Sequence, residues 1–493
     1  MKMKKIFKIN ALLVLGALFL ITSCTKDFEE MNINPNEPNM APPTNVLTYA
    51  VRYFATSFYD DWMDMNNFES YAGHLGKIQY IDEARYEFRG SVVNAGWRDM
   101  YYVMHDAQDI AELAAAADPP NTNLQAVGLT WKAFVTQIAT DTWKAIPYTE
   151  ALHGLDGVIN PAYDNQESIY GALFQLLADA EALYAAGEGD LGEGDILYGG
   201  DVAKWRMFCN SLRMRMAMRI SNVDPAKAQT QFEAAVASPV MGAVEDMAAL
   251  TWPGVPPYEH PWYANYYTDG RDDHGVATYI IDAMKDVSDP RIAIIAKPAE
   301  SDGEYRGVVP GAEDGTFSLP DISRIGAFYR DRPAGETYFM RYSEVLFLKA
   351  EAALNGWNNG GMTAQEAYEA GITASMHENT ITDDAAIADY LTHELVVWSD
   401  NTEENYEQIY LQKWFSLFSQ GHEAWAECRR TDIPVMPAAP GSAYTGHNRP
   451  PFRYPYPSSE YNLNSGSIGA VDGGIVDSFW GQQMWWDTRT GVQ

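Results

Sequence analysis

Residues 201–221 read DVAKWRMFCNSLRMRMAMRIS, and this stretch decides the fold class. Counted from Trp205, the large apolar side chains recur at i, i+3, i+4, i+7, i+11 and i+15. That spacing predicts a helix with one continuous apolar face. Asp201 stands where an N-cap would be, and Asp224-Pro225 has the cap and the first-turn proline that begin another helix. The stretch therefore indicates helices packed on helices.

The same periodicity predicts further helices on both sides of this one. They cover residues 97–113, 123–152, 167–186, 336–355, 364–378 and 403–430. We interpret 123–152 as a pair of helices that breaks near Ile146-Pro147, because proline disfavours helix in the residue before it. Helices of roughly 15–25 residues in antiparallel pairs favour a mainly α fold with a tetratricopeptide-like scaffold of helical pairs, although no repeat consensus is visible.

Two parts of the chain lack this periodicity. Between 238 and 335 Pro, Gly, Tyr and Trp are frequent, and helical spacing is retained mainly in 275–287. The tail, 431–493, is also irregular. We predict a single domain, 46–493, in which the helical scaffold carries a large loop-rich insertion at about 238–335 and a C-terminal segment that packs back over the helices.

The N-terminus has the pattern of an exported lipoprotein. Four lysines fall within the first eight residues, and the apolar run Ala11–Ile21 is too short to span a bilayer as a helix. We therefore predict a signal peptide over 1–23. Because Leu20-Ile21-Thr22-Ser23-Cys24 resembles a lipobox, we also predict a lipid-modified Cys24. Residues 24–45 are then an extended tether, rich in Pro and Asn, that holds the domain off the lipid surface.

Composition narrows the function further. The formal net charge of −33 argues against nucleic acid, because phosphates require Lys and Arg. Of the three cysteines, Cys209 and Cys428 lie in apolar-periodic segments, which indicates buried free thiols, with a disulfide between them as the alternative in an oxidising compartment.

Catalytic motifs are not found in the sequence. It has no zinc-protease histidine pair, no G-x-S-x-G elbow, no P-loop and no G-x-G-x-x-G after a predicted strand, so we predict no catalytic residue, no metal and no cofactor. The 67 carboxylates could still include an acid/base pair for glycoside cleavage. The run Asp269–His274 is rich in oxygen ligands but lacks the spacing of an EF-hand, so we interpret it as a solvated turn with calcium binding as the alternative.

Aromatic residues in loops are the best candidates for ligand contacts. The predicted ligand-binding residues form two groups, Trp252, Tyr258, Trp262, Tyr263 and Tyr266 in the insertion, and Tyr59, Trp62 and Tyr80 between early helices. Rigid rings stack on the apolar faces of sugars and also line grooves for peptides. The alternative for each residue is burial against the scaffold, which we expect for the helical residues Trp131, Trp205, Trp414 and Trp425.

Several segments together resemble the SusD/RagB family of nutrient-binding outer-membrane lipoproteins. Besides the lipobox at Cys24, they are TDTWKAIPYTEA at 140–151, NSLRMRMAMR at 210–219, DPR at 289–291, YSEVLFLKAEA at 342–352, QKW at 412–414 with EAWAECRR at 423–430, RYPYP at 453–457 and WWD at 485–487. Lys144 stands where this family usually has glycine. Most of these motifs belong to the scaffold, and we predict buried ion pairs between helices for Glu344, Glu351, Arg213 and Arg219.

The resemblance implies a location, a partner and a role. The protein would be lipid-anchored in the outer membrane and face the extracellular side. It would deliver its ligand to a SusC-like TonB-dependent outer-membrane barrel. The expected ligand is an oligosaccharide or polysaccharide, with an oligopeptide as the alternative. A surface glycan hydrolase and a purely adhesive protein are the other classes left open.

Overall fold

The structure is a computed structural model that describes residues 41–313, 315–471 and 481–493. Helices make up most of these residues. Within these residues twelve α-helices have eight residues or more: α1 Pro43–Phe58, α2 Gly90–Ala115, α3 Thr122–Trp143, α4 Gln166–Ala186, α5 Val202–Arg219, α6 Pro225–Val236, α7 Thr278–Asp286, α8 Tyr342–Leu354, α9 Ala364–Glu378, α10 Asp384–Leu391, α11 Thr402–Ser416 and α12 Gly421–Thr431.

Shorter helical segments lie between them. Single turns of α-helix cover Glu69–Tyr71, Pro261–Tyr263, Ile292–Ile295, Ala327–Arg330, Ser458–Leu463 and Ser465–Ile468. Turns of 3₁₀-helix cover Glu83–Arg85, Gly154–Asp156, Gly192–Gly194, Val244–Asp246 and Leu319–Asp321. Two segments, Asp61–Phe68 and Ala264–Thr268, are π-helical.

The sequence signals for helix ends are confirmed. Asp201 accepts hydrogen bonds from the N–H groups of Ala203 and Lys204 and so caps α5. Thr363 and Glu366 form a reciprocal capping box at the start of α9. These local contacts satisfy backbone groups that a helix terminus leaves unpaired, so they could be predicted without tertiary information.

Consecutive helices pack in pairs, which confirms the tetratricopeptide-like scaffold. The pairs are α2 with α3, α3 with α4, α5 with α6 and α8 with α9, while α11 packs on α8. Helices α2 and α3 approach closely at Gly128, where a Cβ atom would lie 2.7 Å from the backbone nitrogen of Ala111. Glycine is therefore required at this crossing.

Four short strands form two pairs, and each pair includes one strand of the insertion. Strand β1 (Leu75–Lys77) pairs antiparallel with β3 (His274–Val276), and β2 (Ala248–Thr251) pairs antiparallel with β4 (Glu336–Met340). The predicted helix over 336–355 is therefore wrong in its first part, since a helix begins only at Tyr342. Thr337, Tyr338 and Phe339 favour strand, and pairing with β2 decides the matter.

Two other predicted helices also differ from the structure. The predicted pair over 123–152 is one helix, α3, which ends where Lys144 takes a φ of +73°. The predicted helix over 403–430 is two, α11 and α12, separated where Ser419 takes a φ of +71°. The apolar spacing continues across this break because both helices face the same core.

The N-terminal predictions fall mainly outside the described residues. The signal peptide, Cys24 and the tether up to residue 40 are not described. The chain divides into one unit of residues 1–42 and another of residues 43–493, and α1 begins at Pro43, two residues before the predicted end of the tether. Among the described helices, none is both long and apolar enough to cross a membrane. Cys209 and Cys428 are buried free thiols, as predicted.

Buried charges join the helices of the core. Arg215 on α5 forms a two-pronged pair with Glu344 on α8, with a distance of 2.6 Å between Nη2 and Oε2. One turn later, Arg219 bonds both Glu423 and Glu427 on α12. These side chains are almost entirely removed from water. A buried charge without its partner is costly, so the pairs fix how α5, α8 and α12 meet.

The predicted ion pairs are confirmed for three residues of four. Glu351 pairs with Arg430, with 2.7 Å between Oε1 and Nη1, and Glu344 and Arg219 pair as described above. Arg213 is the exception, since its guanidinium bonds the amide oxygen of Gln231. Arg213 lies two residues from Arg215 on a helix, so the two side chains cannot face the same core.

We expect Arg219→Ala to lower the free energy of unfolding by about 3–5 kcal/mol, because it removes a buried cation that bonds both Glu423 and Glu427 and leaves surplus negative charge in the core. Chemical denaturation of the full chain measures this. Arg206→Ala on the same helix is the matched control, since Arg206 is partly exposed and pairs only with Glu181, and it should cost no more than about 1 kcal/mol. Equal losses for the two variants would contradict the interpretation.

Candidate functional site

Three of the eight predicted ligand-binding aromatics are core residues in the structure. Tyr59 is buried, and its hydroxyl lies 3.3 Å from Nε2 of His422. Trp252 is buried and donates its indole N–H to the hydroxyl of Thr337. Trp262 is only 2% exposed. Their rings are covered by protein, so we do not include them in the candidate site.

Tyr80 is 59% exposed and lies beside Arg271, although the two are far apart in sequence. In the antiparallel pairing of β1 with β3, Lys77 is opposite His274. Extending that register by three residues on each strand brings Tyr80 level with Arg271. The guanidinium carbon of Arg271 lies 4.7 Å from the centre of the Tyr80 ring, within the range of a cation–π contact. Strand register therefore positions this pair.

Three further tyrosines, Tyr263, Tyr266 and Tyr267, come from one short helical segment. Tyr263 ends the helical turn Pro261–Tyr263, and the π-helix Ala264–Thr268 carries Tyr266 and Tyr267. The rings of Tyr263 and Tyr267 are stacked with centroids 4.6 Å apart, and Tyr267 meets Tyr266 edge-on at 4.7 Å. π-Helical turns are rare and often occur at functional sites, where they change the direction of side chains.

Arginines join these tyrosines to the Tyr80 pair. Arg330 lies over the ring of Tyr266 at 3.7 Å, and it also pairs with Asp272 at 3.6 Å. Asp272 pairs with Arg324 as well, at 3.1 Å, and the next residue, Asp273, accepts from Arg271. The acidic run that raised the possibility of calcium binding is thus engaged by arginines. In the described parts of the chain, no group of three or more His, Cys, Asp and Glu side chains is arranged to hold a metal ion.

We call this surface the tyrosine face. It consists of Tyr80, Tyr263, Tyr266 and Tyr267 with Arg271 and Arg330. Flat rings, backed by guanidinium groups that are themselves held by carboxylates, form a rigid and partly apolar surface. Such a surface loses little side-chain entropy when a planar ligand stacks on it.

Trp62 lies in a separate cleft, which we call the Trp62 cleft. Its volume is about 370 Å³ and its lining residues are Thr56, Ser57, Asp60, Trp62, Met63, Arg89, Ser91, Val92, Ala95, Gly96 and Asp99. Trp62 is 41% exposed, and the guanidinium of Arg89 lies 5.3 Å from its ring centre. The side chain of Asp60 caps the π-helix Asp61–Phe68 by accepting from the N–H of Met63.

The cleft is electrostatically connected to the tyrosine face through Asp61. Burial raises the pKa of Asp61 to about 6, the nearby carboxylates of Asp269 and Asp273 also raise it, and Lys77 opposes them. Asp269 and Asp273 flank Arg271 in the same loop. The two sites therefore share an acidic border.

Tyr258 and three residues that were not predicted from the sequence are further exposed aromatics. Tyr258 is partly exposed, and Arg52 of α1 lies 4.6 Å from its ring centre. Tyr267, 51% exposed, was not among the predicted residues, although it directly follows Tyr266. Tyr49 and Tyr102 are also exposed but lie on helices, where a search confined to loops misses them.

Comparison with known proteins gives a consistent result. A family model described as "SusD-like_2: Starch-binding associating with outer membrane" matches residues 35–457. No match is found among the curated proteins. Because the family model covers most of the chain, this protein belongs to the SusD-like family.

Solved structures support the family assignment. A chitin-binding protein has a TM-score of 0.79 and 25% sequence identity, covering 91% of this chain and 100% of its own. A chitin-binding SusD homolog from Flavobacterium johnsoniae has a TM-score of 0.78 and 27% identity, covering 91% and 98%. A SusD homolog from Bacteroides thetaiotaomicron has a TM-score of 0.76 and 26% identity, covering 91% and 100%. The predicted fold class and family are therefore confirmed.

The different positions of Trp262 and Tyr267 can be tested by stability. We expect Trp262→Ala to lower the free energy of unfolding by about 3–5 kcal/mol, because it leaves a cavity in the core. Tyr267→Ala, at the exposed end of the same segment, should change it by no more than about 0.5 kcal/mol. Urea denaturation of both variants measures the difference. A small loss for Trp262→Ala would mean that its ring is not a core residue.

Proposed function

We propose that this protein is a surface lipoprotein of the outer membrane that binds a glycan and transfers it to a SusC-like TonB-dependent barrel. The observation that carries the proposal is the tyrosine face, where four tyrosine rings and two arginines meet on a surface built by the β1–β3 pairing and a π-helix. Aromatic rings bind the apolar faces of pyranoses, and the partly exposed guanidinium of Arg271 can donate hydrogen bonds to sugar hydroxyls, while the buried Arg330 supports the ring of Tyr266.

Two further arguments favour a glycan over a peptide. Two structural relatives, each of which matches this chain over almost its whole length, are described as chitin-binding. In addition, the tyrosine face exposes flat aromatic rings. Peptide recognition by strand addition uses a free sheet edge with pockets for alternate side chains instead. An oligopeptide remains the alternative ligand, and the binding experiment below distinguishes the two.

We propose binding without turnover. Glycoside cleavage needs one carboxylic acid and one carboxylate flanking the scissile bond. Beside the tyrosine face, Asp272 and Asp273 are ion-paired with Arg324, Arg330 and Arg271, so arginines of the protein already occupy both carboxyl groups. This arrangement suits a rigid binding surface better than a proton donor.

Removal of individual rings tests the proposed glycan site. We expect Tyr80→Ala and Tyr267→Ala each to weaken glycan binding about 5- to 100-fold, since one stacked ring contributes roughly 1–3 kcal/mol by analogy with base stacking. Affinity electrophoresis of the full detergent-solubilised chain against chitin, starch and other polysaccharides measures this.

Tyr406→Ala is the matched control, because Tyr406 is a partly exposed tyrosine on the scaffold helix α11. It should leave glycan binding unchanged. Binding only to peptides from a protein digest would transfer the proposal to the peptide alternative, and the appearance of new reducing ends would identify a hydrolase.

The proposed lipid anchor has its own test. Because Cys24 is the acceptor in the lipobox, we expect Cys24→Ala to abolish incorporation of labelled palmitate in cells. Cys209→Ala is the control, since its thiol is buried in the core and should not affect labelling. Unchanged labelling of the Cys24→Ala protein would refute the anchor.

A further inference from the structure

The Trp62 cleft has a charge pattern that its family membership does not explain. Its cationic side chain is Arg89, which bonds Glu83 at 3.0 Å. Its second acid, Asp99, pairs with Arg98 at 2.7 Å. The charges of Arg89 and Asp99 in the cleft wall are therefore each balanced by a partner.

Asp60 and Asp61 differ from these paired groups. They lie directly before the exposed indole of Trp62, and within the residues that the structure describes neither forms an ion pair. Asp60 uses one carboxylate oxygen, Oδ1, to accept the N–H of Met63 at 2.8 Å. Asp60 lines the cleft and Asp61 follows it in the chain, so the wall has one carboxylate in excess and a second one adjoins it, next to the ring of Trp62.

These two carboxylates are also poorly solvated. Burial and the neighbouring Asp61 raise the pKa of Asp60 well above its usual range. For Asp61, burial together with Asp269 and Asp273 outweighs the opposing effect of Lys77. A carboxylate that has lost water without gaining a cation is unfavourable, and a ligand ammonium group would relieve this cost.

The shape of the cleft limits what that ligand can be. A volume of about 370 Å³ lies at the lower end of the range for ligand pockets, roughly 300–1,000 Å³, and suits one or two sugar rings. The remaining lining includes three hydroxyls, those of Thr56, Ser57 and Ser91, which can bond sugar hydroxyls. Trp62 supplies an apolar ring face, which attracts both a pyranose and an ammonium group.

We propose that the Trp62 cleft binds an amino sugar with a free ammonium group, such as a glucosamine unit of a partly deacetylated chitin. The pyranose stacks on Trp62, and its ammonium group lies beside the carboxylates of Asp60 and Asp61. This inference rests on the proposed function as a glycan-binding protein and names the class of sugar. It implies that anionic sugars such as uronic acids bind poorly.

Calorimetric titration of the full detergent-solubilised chain with two hexamers tests the inference. At neutral pH and low salt, we expect the glucosamine hexamer to bind about 5- to 10-fold more tightly than the N-acetylglucosamine hexamer, the range for one cation–π and charge contact. Raising the salt concentration should reduce this preference, because the carboxylates are partly exposed to solvent.

Two substitutions locate the preference in the cleft. Asp60→Asn keeps the N-cap, since asparagine also caps helices, and Asp61→Asn removes the second charge. The double variant should lose the preference, so that the two hexamers bind with similar affinity. Glu403→Gln, at an exposed position on α11, removes the same kind of charge far along the chain and should preserve the preference.

The outcomes separate this inference from the proposed function. If the N-acetylated hexamer binds but the glucosamine hexamer has no advantage, or if the double variant retains the advantage, the amino-sugar site is refuted and glycan binding stands. If neither hexamer nor any other glycan binds while lysine-rich peptides do, both proposals are overturned.

Discussion

The guanidinium of Arg219 lies where α5 meets α12, and most of the fold is organised around its burial. It bonds two glutamates of α12 and lies 3.5 Å from Asp141 of α3, while its other side faces the ring of Trp486 in the C-terminal segment. A charge so far from water is tolerable only when every partner is present. One residue therefore joins α3, α5, α12 and the tail.

Neighbouring charges extend this constraint through the core. Although burial raises the pKa of Glu427, Arg430 and Lys413 hold it well below its usual range, so it stays a carboxylate. Asp141 accepts the indole N–H of Trp486 at 2.8 Å, which holds the irregular tail against the helices. The motifs that carry the family resemblance are largely these groups, so the resemblance reflects the scaffold more than the ligand.

Irregular backbone between the long helices contributes to both candidate sites. The tyrosine face is built where β1 and β3 pair and where a π-helix turns three tyrosines toward one another. The Trp62 cleft is built at the other π-helix, Asp61–Phe68, between the end of α1 and the start of α2. Both candidate sites therefore occur where the backbone departs from regular helix, and the ordinary helices hold those departures in place.

The sequence by itself determined most of the long helices and those helix ends that a local cap marks, since caps such as Asp201 and Thr363 act over three residues and apolar spacing reports which face is buried. It also identified Tyr80, Tyr263 and Tyr266 as aromatics in loops, but it could not separate them from Trp252 and Trp262, because burial of a loop residue depends on which distant segment covers it. Only the tertiary structure decided that Glu336–Met340 is a strand, that Arg271 and Arg330 lie over tyrosines, and that neither Asp60 nor Asp61 forms an ion pair within the described residues. Each of these depends on contacts between residues far apart in the chain, and local periodicity carries no information about such contacts.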